Sequence, residues 1–222
     1  MSTEAVPVHL LTRTDVTAYF ERSGGHPSRS LGQNFVVDPN TVRRIVRLAG
    51  VAAKDRVLEI GAGLGSLTLA LAETGASVTA VEIDRHLIDE LRENVRALSN
   101  VTVVHADAMT LDWHELLPAE HGPYLLVANL PYNVATPLVA DLLDGVPQIG
   151  RMLVMVQKEV GQRLAANPGD DAYGAVSVKV AYWERPAWSA PWGPACSCRP
   201  PRSIPASFAS IGVHRLPSTR NS

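Results

Sequence analysis

Val57-Leu58-Glu59-Ile60-Gly61-Ala62-Gly63-Leu64-Gly65 decides the fold of this 222-residue chain. Three β-friendly apolar residues lead into a loop with glycine at alternate positions, and Ser66 to Glu73 continues with the pattern of a helix. Glycine lets backbone turn tightly and approach a ligand with no Cβ in the way. The spacing is GxGxG, not the GxGxxG of a dinucleotide site, so the loop alone is a weak signal. Two later strands strengthen it. The first of them, Ser77 to Val81, ends in Glu82, 21 residues after Gly61, where a carboxylate can accept from both hydroxyls of a ribose. The second, Val101 to His105, ends in Ala106-Asp107-Ala108-Met109 and places Asp107 to accept from an adenine amine. Three successive strand ends each offer a contact suited to an adenosine-containing cofactor.

Farther on, the apolar run Tyr124 to Val127 reads as a buried strand and closes in Ala128-Asn129-Leu130-Pro131-Tyr132. Ligands in open α/β sheets bind at the carboxyl ends of strands. An amide, a proline and an aromatic ring there suit the gripping of an exocyclic amine on a flat base. The amide oxygen accepts from the amine, proline stiffens the turn, and the ring stacks. Other predicted elements are helices at Asp15 to Glu21, Asn40 to Leu48, Arg85 to Ala97, Thr136 to Leu143 and Lys158 to Ala166, and a strand at Met152 to Gln157. Strands alternating with helices predict an α/β fold, a parallel sheet with helices on both faces. Glu59 is expected to bond glycine-loop amides, and Asp84 to cap the helix after it.

Composition is ordinary for a globular protein, and the net charge of −2 argues against tight binding to naked RNA. Basic residues do cluster locally, as at Arg43, Arg44 and Arg47. The two cysteines, Cys196 and Cys198, stand one residue apart without nearby histidines, a poor metal site and no disulfide framework. No stretch reaches the ~18 apolar residues of a membrane span, and the amino terminus lacks a signal-peptide pattern. The expected location is the cytoplasm.

Taken in order, several motifs resemble the S-adenosylmethionine-dependent rRNA adenine N6,N6-dimethyltransferase family of the KsgA type. They are Ser30-Leu31-Gly32-Gln33-Asn34-Phe35-Val36-Val37-Asp38, Glu59 to Gly65, Glu82-Ile83-Asp84, Asp107-Ala108-Met109, Asn129-Leu130-Pro131-Tyr132-Asn133, Gln157-Lys158-Glu159-Val160 and Ala172 to Val178. The resemblance implies a Rossmann-like methyltransferase domain over 29–183, after an amino-terminal extension over 1–28. It implies that Asn34 and Val36 close over S-adenosylmethionine, that Gly61 contacts its methionine end, that Glu82 holds the ribose and that Asp107 holds the adenine amine. Asn129 would face the transferred methyl and the target amine, with the Leu130 carbonyl as a second acceptor, and Tyr132 would stack on the flipped-out adenine. The target would be two adjacent adenosines near the 3′ end of small-subunit (16S) rRNA, within the immature small ribosomal subunit. No metal and no membrane are implied, and a monomer is expected.

The resemblance ends near Trp183. The family continues with a strand pair and a small helical domain, whereas residues 184–222 hold seven Pro, seven Ser, five Arg and one acid. This tail is expected to be irregular, a frameshifted or misjoined reading of the gene, with no periodic apolar face. The edge of the Met152 to Gln157 strand is then expected to lie uncovered. Two further readings stand beside the first: a large-subunit (23S) rRNA adenine methylase of the macrolide-resistance type, and a catalytically silent cofactor- or RNA-binding remnant. Leu130 and Tyr173-Gly174 lean toward the small-subunit enzyme, and GxGxG disfavours a nicotinamide oxidoreductase.

Overall fold

The computed structural model describes residues 8–25, 35–183 and 208–214, with backbone alone at Tyr132 and over 208–214. The chain divides into two compact units, Met1–Thr110 and Leu111–Ser222.

The first unit carries β1 (Arg56–Ile60), β2 (Ser77–Glu82) and β3 (Val101–His105) in the order β3-β2-β1. Both pairings are parallel and unbroken in register, from Arg56↔Ser77 to Ile60↔Val81 and from Val78↔Val101 to Glu82↔His105. Parallel neighbours need a crossover. Here α3 (Ser66–Ala72) and α4 (Arg85–Val95) supply it, and every residue of α3 is buried. Two helices precede the strands. In α1 (Arg13–Ser23), the Thr12 hydroxyl accepts from the Asp15 amide while the Asp15 carboxylate accepts from the Thr12 amide, a reciprocal cap. That cap and the left-handed Gly24 extend the helix two residues beyond the predicted span at each end. In α2 (Pro39–Ala49), the Asp38 carboxylate accepts from the Thr41 amide at 2.8 Å, proline opens the first turn, and Gly50 closes the last. Asp84 caps α4 through the His86 amide at 2.9 Å, as expected.

The second unit carries a short α5 (Trp113–Leu116), then β4 (Tyr124–Asn129), α6 (Tyr132–Gly145), β5 (Ile149–Gln157), α7 (Lys158–Leu164), α8 (Ala175–Trp183) and β6 (Phe208–His214). Strands β4 and β5 are parallel, and β4 is buried from Tyr124 to Ala128. Helix α6 starts four residues before the predicted Thr136. Pro137 resembles a first-turn proline, yet it lies inside the helix, where it removes only the bond to the Asn133 carbonyl. Strand β5 starts three residues early: Ile149 pairs with Tyr124 and Arg151 with Leu125, and the ladder steps over Gly150 where the apolar run is interrupted.

Of these elements, α5, α8 and β6 were not expected. Helix α8 is rich in valine and reads as a strand, but side-chain ties hold it: Ser177 Oγ donates to the Arg163 carbonyl at 2.6 Å, and Lys179 pairs with Asp144 at 2.7 Å. Strand β6 lies in the segment expected to be irregular. It pairs antiparallel with β5 from Arg151↔His214 to Gln157↔Phe208, so the edge expected to be uncovered is paired. The signal was a period of two, Ala209, Ile211 and Val213 alternating with Ser210, Gly212 and His214. Cys196 and Cys198 lie outside the described residues. No helix among the described residues is long and apolar enough to cross a membrane.

Candidate functional site

In the first unit, the carboxyl end of β1 runs into the glycine loop. Gly61, Gly63 and Gly65 have φ of +77°, +60° and +94°. At Gly63 and Gly65 space is short as well: an added Cβ would stand 2.9 Å from Phe35 Cε1 and 2.8 Å from Leu91 Cδ1. The loop is held by its neighbours. The Gly61 and Ala62 amides both donate to the Val81 carbonyl, at 2.9 and 3.2 Å. The Asn94 side-chain amide donates to the Leu64 carbonyl at 2.9 Å.

Glu82 ends β2, 5% exposed. Its Oε2 accepts from the Gly63 amide at 2.6 Å, and its Oε1 from the Ile83 and Asp84 amides at 3.0 and 2.9 Å. A carboxylate offers about four lone-pair directions. Three serve the backbone here, so Glu82 is a fixed anion with about one direction left, not the two open oxygens that a ribose diol would prefer. The glycine-loop amide expected to go to Glu59 is therefore held by Glu82. Glu59 is 1% exposed, and its Oε2 has no hydrogen-bond partner among the described residues. Burial pushes its carboxyl up to about 8, with the nearby Thr68 hydroxyl opposing and the Glu82 charge adding to the rise.

At the tip of β3, Asp107 Oδ1 accepts from the Met109 amide at 2.9 Å, and its carbonyl from the Thr110 amide at 3.0 Å. Asp107 thus caps its turn through one oxygen, and Oδ2 takes no part in that bond. His105 Nε2 donates to the Ile83 carbonyl at 3.1 Å, tying the β3 tip to the residue after Glu82. Ile83 and Met109, 44% and 40% exposed, hold apolar side chains open beside the two acids. Sequence reasoning assigned neither a contact. The available signal was an apolar residue one or two positions after each strand-end acid. Val36 is half-buried and Asn34 lies outside the described residues. Of the arginine cluster, Arg43 is engaged by Glu73 at 2.8 and 3.0 Å, while Arg44 and Arg47 are exposed.

In the second unit, Asn129 is the last residue of β4, half-buried and paired in register with Met155 of β5. The Leu130 amide donates to the Met155 carbonyl at 3.0 Å. Leu130 is 2% exposed, so its side chain is packing and only its carbonyl can serve as an acceptor. Pro131 caps α6 with extended backbone (φ −68°, ψ 152°), and its carbonyl accepts from the Val134 and Ala135 amides at 3.2 and 3.0 Å. Tyr132 opens α6, and its side chain lies outside the described residues.

The arrangement of parallel strands and helix crossovers defines the class: a Rossmann-like methyltransferase fold. It is shared with the crystal structure of the 23S rRNA methyltransferase ErmE, at 26% identity and a TM-score of 0.62, covering 82% of this chain and 70% of that one. A dimethyladenosine transferase from Plasmodium falciparum shares the fold at 24% identity and a TM-score of 0.62, covering 81% and 62%. Residues 26–185 match the ribosomal RNA adenine dimethylase family, and the chain belongs to it. It is similar to the ribosomal RNA small subunit methyltransferase A of Bifidobacterium longum subsp. infantis, 52% identical over 182 residues, 79% of this chain and 59% of that protein. The protein of that name from Mycobacterium avium is 48% identical over 186 residues, 82% and 58%. The chain thus spans less than two thirds of the length of these relatives.

Proposed function

We propose that this chain transfers methyl groups from S-adenosylmethionine to the N6 amines of two adjacent adenosines near the 3′ end of small-subunit rRNA. The supporting observation is the tip of β2, where one buried carboxylate both holds the glycine loop and ends the strand beside an open apolar residue, in a chain of this family. The residues present fit the cofactor. Glu82 keeps a lone-pair direction for the ribose, and Asp107 Oδ2 stands outside its turn bond for the adenine amine. Ile83 and Met109 offer the base apolar surface, while Gly61 brings bare backbone to the methionine end. Asn34 and Val36 close over it.

When bound, S-adenosylmethionine supplies a methyl already activated by its sulfonium. The chain's part is positioning and electrostatics. An adenine amine is a poor nucleophile because its lone pair is delocalised into the ring. The Asn129 side-chain oxygen and the Leu130 carbonyl accept hydrogen bonds from its two N–H groups and favour a pyramidal nitrogen with the lone pair free. Asn129 is neutral, so it accepts without pairing to the sulfonium. The product ammonium releases its proton to water. Tyr132 stacks on the extruded base. The partner is the immature small subunit in the cytoplasm, met by a monomer that needs no metal.

The test is transfer of label from S-adenosylmethionine to immature small subunits, with Asn129→Ala alongside. Labelled adenosine that vanishes in the variant is expected. Cofactor binding without transfer would mean a silent remnant, and label in large-subunit RNA would mean the resistance-type specificity.

A further inference from the structure

We propose that Phe20, on α1, is a positioning residue for the cofactor loop, acting through Phe35 on Gly63. The inference rests on the cofactor reading above and adds to it a role for a helix outside the motifs of the resemblance.

Gly63 is pinned on one side by the Glu82 carboxylate, which accepts a hydrogen bond from its amide. On its other side stands an aromatic ring, because Phe35 occupies the space a Cβ would fill. A glycine at φ +60° has no side chain to hold it there, so whatever packs on its Cα limits its freedom. Phe35 does this with a flat, stiff group. It also directly precedes Val36, so the ring that rests on the loop fixes the start of a residue proposed to contact the cofactor.

Phe35 is itself braced. Its ring centroid lies 5.6 Å from that of Phe20 at an interplanar angle of 58°, and Phe20 meets Tyr19 edge-on at 5.1 Å and 73°. These are favourable aromatic geometries. Helix α1 is in turn fastened to α4. The Tyr19 hydroxyl donates to the His86 carbonyl at 2.7 Å, and Arg22 pairs with Glu90 at 3.1 Å. Helix α4 thereby grips the glycine loop twice: directly at Leu64 and Gly65 through Asn94 and Leu91, and indirectly at Gly63 through α1 and the two rings. Loosening Phe20 would free Phe35, and with it the loop, without removing any group proposed to touch the cofactor.

The experiment is calorimetric titration of the full chain with S-adenosylhomocysteine, for the unaltered protein, Phe20→Ala, Phe35→Ala and the double variant. Each single change is expected to weaken binding about five- to tenfold, the scale of an aromatic pair. The double variant should be no weaker than the worse single one, because Phe20 acts only through Phe35. Phe20→Tyr, which keeps a ring, should restore most of the affinity. Should Phe20→Ala fail to fold, Phe20→Leu is read in its place against the same expectation. Affinity within twofold of the unaltered chain, or single losses that multiply in the double variant, would overturn the proposal. If the unaltered chain binds nothing, the cofactor reading falls first and this inference with it.

Discussion

The two strand tips that carry the candidate residues are built differently. At the tip of β2 a carboxylate is committed to its own backbone: Glu82 accepts from three amides before any ligand arrives. At the tip of β4 the turn is held by the ladder and by proline, through the Leu130 amide on Met155 and the extended Pro131. The first design makes a fixed negative field in a buried place, suited to hydroxyls and amide protons. In the proposed reading the second presents neutral acceptors, Asn129 and the Leu130 carbonyl, where a negative charge would pair with a sulfonium. In that reading one tip binds and the other acts, and substitutions should separate the two.

The largest separation is expected from Asn129→Ala. Loss of a preorganised acceptor of developing charge should lower kcat about 10²- to 10³-fold. Cofactor affinity, measured by titration, should stay within about threefold. Glu82→Ala should do the converse damage. Three amides lose their acceptor, so unfolding free energy in denaturant should fall by about 3 kcal/mol, with cofactor binding reduced about 100-fold.

Glu59 sharpens the contrast between the buried acids. Its carboxyl is raised from an ordinary 4.5 to about 8, so the folded form binds the extra proton between those values. Its contribution to stability is fully present below about 4.5 and is lost as pH rises to about 8. Glu59→Gln removes the titration. Denaturant melts at pH 5 and pH 8.5 should show the variant gaining about 4 kcal/mol relative to the unaltered chain at the higher pH. Parallel pH profiles would show Glu59 to be already ionised. The smallest effect belongs to Asp107→Ala. It should weaken cofactor binding about tenfold with little change in melting temperature, since the Thr110-to-Asp107 backbone bond remains.

Legibility in the sequence divides along the same line. Strand tips are legible because an apolar run ends abruptly in a polar residue. Strand β3 matches its predicted span to the residue, and Glu82, Asp107 and Asn129 stand at or just past the predicted strand ends. The α4 cap at Asp84 is legible for the same reason. Which acid serves the glycine loop is not, because Glu59 and Glu82 both lie near it in the chain and only parallel pairing brings Glu82 alongside Gly63. Helix α8 escapes a sequence reading because its valines favour a strand, while contacts distant in sequence, such as Ser177 with Arg163, decide for a helix. Strand β6 escapes it because prolines on either side hide a short alternation. The Phe20–Phe35–Gly63 contact cannot be read at all, because its members stand far apart in the chain and only the fold brings them together.

The most direct measurement is a calorimetric titration of S-adenosylmethionine into the unaltered chain, Glu82→Ala and Asn129→Ala under one set of conditions. The account predicts saturable binding by the unaltered chain and by Asn129→Ala with similar affinity, and almost none by Glu82→Ala. Equal binding by all three, or none by the unaltered chain, would contradict it.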